Sequence, residues 1–153
     1  MRKGGSEPAC IRGFRQRYLP WKIPGGGTIE LPFLDIRLIG PTGLSFITNA
    51  LVDSGATASF VPRNLAQVLK LKYSDARTTY GAGGKFRTRA ASVTIQYLKN
   101  GVVKGTTANA TVYVPFDDSS IPYSILGRNT VFRAYEILFL ELGQEIHLRC
   151  PRR

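Results

Sequence analysis

Short runs in which apolar and polar side chains alternate, each cut off by a glycine or proline turn, recur along this chain and commit it to strands. Near residues 30–39, Leu34, Ile36 and Leu38 alternate with Asp35 and Arg37. Only an extended backbone puts every second residue on one face. Gly40-Pro41-Thr42-Gly43 then offers a tight turn, and a return strand over about 44–52 ends in Ala50-Leu51-Val52. Two extended arms follow near 76–80 and 85–98, the second with Val93, Ile95 and Tyr97 in alternation, before the hairpin signal Asn100-Gly101. Over 107–114, Ala108, Ala110, Val112 and Val114 oppose Thr107, Asn109, Thr111 and Tyr113. A last strand pair, about 135–141 and 144–149, flanks Leu142-Gly143. One amphipathic helix is expected after Pro62, with Leu65, Val68 and Leu69 at helical spacing and its end near Leu71. The pattern predicts a mostly β domain, barrel-like or sandwich, with one or two short helices.

The ends of the chain differ in composition from the middle. Residues 1–27 are rich in Gly, Pro and Arg and close on Pro24-Gly25-Gly26-Gly27. They read as a basic arm, ordered in part by Tyr18, Leu19, Trp21 and Ile23, before a domain over 28–150. Of the net charge of +11, much lies at the ends, in Arg2, Lys3, Arg12, Arg15, Arg17, Lys22, Arg149, Arg152 and Arg153. Clustered cations can displace counterions from nucleic acid. No nucleic-acid-binding motif accompanies them, so solubilising tails are the preferred reading and nucleic acid the less favoured partner. No apolar run approaches the roughly 20 residues of a membrane helix, and no apolar stretch follows the basic start as in a secretory signal. A soluble, cytoplasmic protein with no membrane partner is the expectation. Cys10 and Cys150 lie near opposite ends, without metal-ligand spacing. They could pair only if both ends converge, and reduced thiols are expected. His147, the one histidine, sits between Ile146 and Leu148 and reads as a surface or satisfied residue rather than a catalytic base.

The chemistry-bearing stretch is Ala50-Leu51-Val52-Asp53-Ser54-Gly55-Ala56-Thr57. An apolar strand delivers the Asp53 carboxylate to a place with limited water. Gly55 allows a sharp turn, and the Ser54 hydroxyl can hydrogen-bond locally to hold it. Taken alone, the triplet also fits an ordinary turn after a strand. The stretch from Ala50 to Pro62 resembles the active-site segment of the retropepsin-like aspartic proteases, and its continuation Ser59-Phe60-Val61-Pro62 with the helix to Leu71 is closer to the cellular, non-viral members. Downstream, Ser124-Ile125-Leu126-Gly127-Arg128-Asn129 resembles the family's hydrophobic-hydrophobic-Gly segment, which supports the active-site loop from below and leads into a short helix, here 128–134. The glycine-rich tip Gly81-Ala82-Gly83-Gly84, with Tyr80 before it, falls where the family has its flap, a mobile hairpin over the substrate. A phosphate-binding loop would need Ser or Thr after Gly84-Lys85, where Phe86 stands. The chain departs from viral members at Thr57 and Ala58, where an Asp often pairs with the Arg after the glycine, so the partner of Arg128 is open.

The resemblance implies an aspartic endopeptidase with a retropepsin-like acid-protease β-barrel, one lobe per chain. Asp53 would be catalytic, Ser54, Gly55 and Ala56 would shape its loop, residues 80–84 would form the flap, and Ile125, Leu126, Gly127 and Arg128 would support the loop. No metal and no cofactor are implied. Peptide hydrolysis of this kind needs two carboxylates about one water, and the chain has a single Asp-Ser-Gly; Asp35, Asp75, Asp117 and Asp118 lack the flanking pattern. The implied partner is therefore a second copy in a homodimer, and the substrate an extended polypeptide. The alternatives are an inactive peptide-binding module on the same fold and a basic nucleic-acid-binding protein.

Overall fold

The computed structural model describes residues 9–81, 84–116 and 121–152. The segment read as an arm is strand-rich: β1 (Ala9–Cys10), β2 (Phe14–Arg17) and β3 (Leu19–Lys22) all precede residue 27, and β3 turns through Pro24–Gly27 into β4 (Thr28–Leu31). The glycine-rich stretch is thus the turn of a hairpin, closed by the Ile23 amide on the Gly27 carbonyl at 2.9 Å. Phe14 and Tyr18 are buried, and Trp21 packs edge-on against Tyr123 with ring centroids 4.8 Å apart. Apolar side chains at this spacing bind the segment to the body of the domain despite its basic composition.

Next come β5 (Phe33–Ile39) and β6 (Ser45–Val52), paired antiparallel from Phe33↔Leu51 to Ile39↔Ser45. The alternation in β5 buries Leu34, Ile36 and Leu38; removing each such side chain from water contributes about 2 kcal/mol. After β7 (Ser59–Phe60), helix α1 spans Arg63–Val68 and buries Leu65 and Ala66, while Leu69 is buried just beyond it. It stops short of Leu71 because Lys70 takes a left-handed conformation (φ 51°). The Leu71 amide then bonds Ala66 O and the Lys70 amide Gln67 O, both at 3.1 Å, which closes the helix end in a Schellman pattern. Val68, expected on the buried face, is 56% exposed.

Strands β8 (Tyr73–Gly81) and β9 (Gly84–Lys99) form a long hairpin. β10 (Val102–Pro115) returns along β9 after a turn in which Asn100 and Gly101 both have positive φ, as a two-residue hairpin turn requires. The alternation expected over 107–114 breaks inside β10. Its register shifts between Thr107 and Ala110, where Asn109 has φ 50°. The extra residue turns Thr107 inward, and its hydroxyl meets the Tyr97 phenol at 2.7 Å in the core, leaving Ala108 only half-buried. Burial pushes the Tyr97 phenol well above its ordinary pKa.

The chain finishes with β11 (Ser124–Leu126), helix α2 (Val131–Ala134), β12 (Glu136–Leu140) and β13 (Glu145–Arg149). Pairing runs β10-β7-β11-β6-β5-β9, and β9 pairs back to β10, so six strands close a barrel. β8 extends it beyond β9 and β1 beyond β10, while β12, β13 and β2 form a separate three-stranded sheet. His147 is paired with Glu145 at 2.9 Å, a bond that holds the Glu145 carboxyl below the usual range. No helix among the described residues is long and apolar enough to cross a membrane.

Cys10 and Cys150, expected as free thiols, form a disulfide, with Cα atoms 5.5 Å apart. The ends converge because β2 lies against β13, with Phe14 opposite Leu148 and Arg15 opposite His147. The bond closes a loop of 140 residues and holds β1, which has only two ladder pairs on β10. Such bonds persist in oxidising surroundings. Reduction, or Cys10→Ser, is expected to lower the unfolding free energy by about 2–4 kcal/mol. Paired denaturant titrations with and without a thiol reductant would read this, and superimposable curves would contradict it.

Candidate active site

Asp53 is the first residue beyond β6, where three strands meet. β11 runs parallel to β6, placing Ile125 opposite Leu51 and Leu126 opposite Val52, and antiparallel to β7 through Ile125↔Phe60. The chain entering and the chain leaving the Asp53 loop therefore flank the same three-residue strand. The Asp53 amide bonds Leu126 O at 3.0 Å, and the Arg128 amide bonds Ala56 O at 2.8 Å. Two backbone bonds thus clamp the loop at both shoulders.

Within the loop, the Asp53 carboxylate accepts the Gly55 amide on Oδ1 at 2.9 Å, and the Ala56 amide returns to Asp53 O at 3.2 Å. The turn is held by the aspartate itself. The Ser54 hydroxyl, expected to brace it, is exposed and makes no hydrogen bond among the described residues. A residue missed in the sequence does that work from behind. Ser59 Oγ, buried, accepts the Gly127 amide at 2.9 Å, donates to Asn129 Oδ1 at 2.8 Å and lies 2.8 Å from Thr130 Oγ1. Asn129 in turn donates to Thr111 O at 2.8 Å. A small hydroxyl six residues after the aspartate and two polar residues after Gly127 were the available signal. The Arg128 guanidinium is exposed and has no partner among the described residues, while the Arg128 amide is held on Ala56 O.

Above the loop stands the β8–β9 hairpin, paired out to Gly81↔Gly84, with Gly84 at φ 109°. Ala82 and Gly83, read as part of the flap tip, lie outside the described residues. The hairpin and the loop enclose a cleft of about 720 Å³ that brings together Asp53, Gly55, Ala56, Tyr80 and Ile125. Leu126 and Gly127 are buried beneath it. Ile125, expected to support the loop, also borders the cleft, whereas Val52 points to the core, as alternation along β6 demands. The apolar wall comes instead from Phe60, Phe86, Tyr113 and Ile121. Phe60 is central to it, 6.0 Å from both the Phe86 and Tyr113 rings. Among the described residues no cluster of three or more His, Cys, Asp or Glu is placed to hold a metal ion.

Residues 43–130, more than half of the 153, match the family described as aspartyl protease. The chain belongs to that family. The retropepsin-like aspartic protease from Rickettsia conorii is 18% identical, with a TM-score of 0.54 over 89% of this aspartyl protease chain and 98% of its own, and the two share a fold. EIAV protease, solved with the inhibitor HBY-793, is 25% identical with a TM-score of 0.44, covering 65% of this chain and 83% of that one. No curated protein matches. This family member is thus a retropepsin-like aspartic protease in fold, mostly β, with a closed barrel and two short helices among the described residues.

Proposed function

We propose that the chain is an endopeptidase that hydrolyses extended polypeptides as a homodimer, with Asp53 of each copy supplying half of the catalytic pair. One observation carries this reading: a carboxylate clamped at the floor of a largely apolar cleft, beneath a glycine-tipped hairpin. Asp53 is the sole carboxylate among the described residues lining that cleft. Asp35, on β5, is bonded to Asn49, and Asp75 is exposed on β8. The second carboxylate then comes from a second copy across a two-fold axis.

In that arrangement a water lies between two aspartates. One, ionised, takes a proton from the water as it attacks the scissile carbonyl carbon. The other, protonated, donates to the carbonyl oxygen. Two carboxylates at such a distance resist double ionisation and share one proton, a behaviour best known from aspartic proteases themselves. Ser54, Gly55 and Ala56 shape the loop, Ile125, Leu126, Gly127 and the Arg128 backbone hold it, and the hairpin tip from Tyr80 to Gly84 covers the substrate. The peptide's backbone would approach the glycines without side-chain hindrance.

The test combines cleavage of an unfolded protein across pH 4–8 with dilution. Hydrolysis is expected to be strongest in mildly acidic solution and to be stopped by a statine-type inhibitor. Activity per chain should fall on dilution in step with dissociation measured by sedimentation. A rate flat into alkaline pH would contradict the shared proton, and full specific activity in a monomer would contradict the dimer.

A further inference from the structure

We propose that Arg77 selects substrates carrying a carboxylate side chain, so that the cleft takes acidic stretches of polypeptide. The proposal rests on the peptidase reading above and adds a substrate class to it. Pairing between β8 and β9 sets Arg77 opposite Thr88 and Thr79 opposite Phe86. Side chains of directly paired residues share a face. Thr88 is fully buried, Phe86 lines the cleft, and Thr79 Oγ1 meets Thr88 Oγ1 at 2.8 Å, so this is the hairpin's inner face. Arg77 belongs to it. Thr78 and Tyr80, of the opposite face, reach the cleft as well, and Lys85 Nζ lies 5.6 Å from the centre of the Tyr80 ring.

Among the described residues lining the cleft, Arg77 is the one cation, as Asp53 is the one carboxylate. The remaining lining is glycine, small, hydroxyl or apolar. No carboxylate among the described residues pairs with Arg77, which leaves its planar, five-donor head available for a carboxylate brought by a ligand. The charge of the whole chain, +11, adds to the attraction. A chain of this net charge attracts acidic polypeptides and repels basic ones. Arg77, exposed and lining the cleft, then reads one side chain.

The experiment walks a single Glu, against Gln, through each position of an eight-residue peptide with apolar residues at the scissile bond. At one or more positions the wild type is expected to prefer Glu in kcat/KM by about tenfold, the scale of a hydrogen bond to a charged group. Arg77→Gln should bring that ratio close to one, and Arg77→Glu should invert it in favour of Gln. The ratio is independent of how much of a variant is folded. A Glu/Gln ratio near one everywhere in the wild type overturns the proposal, as does a ratio that survives Arg77→Gln. If neither peptide is cut, the pairs are titrated against the wild type by fluorescence anisotropy. Binding that keeps the Glu preference upholds Arg77 while the hydrolytic reading falls. Binding without preference overturns the Arg77 assignment, and no binding overturns both.

Discussion

Asp53→Asn is expected to abolish peptide hydrolysis, by at least about a thousandfold, while leaving fold and assembly unchanged. The substitution keeps a carbonyl-type oxygen where Oδ1 accepts the Gly55 amide at 2.9 Å, so the loop retains its internal bond. It removes the ionisable oxygen pair, and in a symmetric dimer it removes both halves of the dyad at once. Asp53→Ala should be equally inactive and also less stable, because the Gly55 amide loses its acceptor. The sharper form of the prediction concerns mixtures. Adding an equal amount of Asp53→Asn chain to wild type, with time to exchange, should cut the wild-type rate to about half, since mixed dimers sequester active chains. An enzyme with its whole site in one chain would show no change. Residual cleavage by the variant that the inhibitor still blocks would remove Asp53 from the mechanism.

What the sequence disclosed and what it hid divide along a physical line. Leu34, Ile36 and Leu38 were legible because one face of β5 is buried and the other is not, so local alternation and final burial coincide. The clamp on the Asp53 loop was legible only through a resemblance, since the residues that meet there, Ser59 and Gly127, are 68 apart. Three features were hidden for separate reasons. Thr107 turned inward because a bulge at Asn109 reversed the side-chain phase, and a single extra residue leaves no mark on a composition pattern. Cys10 met Cys150 because β2 joins β13, a pairing between the two ends that local periodicity cannot encode. Arg77 and Phe86 acquired their cleft-facing role from hairpin register alone. Basic composition also disguised the N-terminal strands. Phe14 and Tyr18 point inward, while Arg15 and Arg17 on alternate positions stay exposed.

Gly127→Ala should be the most damaging methyl addition in the molecule's active-site region. A Cβ at Gly127 would fall inside contact distance of the Ala58 carbonyl oxygen, 2.6 Å from Ala58 C and 2.8 Å from Ala56 O. These are backbone atoms of the Asp53 loop, and Ala56 O is already held by the Arg128 amide at 2.8 Å. The loop cannot retreat without releasing that bond. A strain of about 3 kcal/mol is expected, a large share of the roughly 5–15 kcal/mol that holds a domain folded. Gly43→Ala is the control, since its added methyl meets nothing within 4 Å although φ is 88°. It should cost about 1 kcal/mol through backbone conformation alone. Denaturant midpoints would rank the two. The more telling readout is activity under conditions where both variants are folded. Gly127→Ala should still be crippled there, because the only local relief is to push Ala56 and Ala58 away from β11 and carry Asp53 off its partner. Equal activity in the two folded variants would mean that the loop relaxes without moving its carboxylate, and that β11 stabilises the barrel without positioning the chemistry.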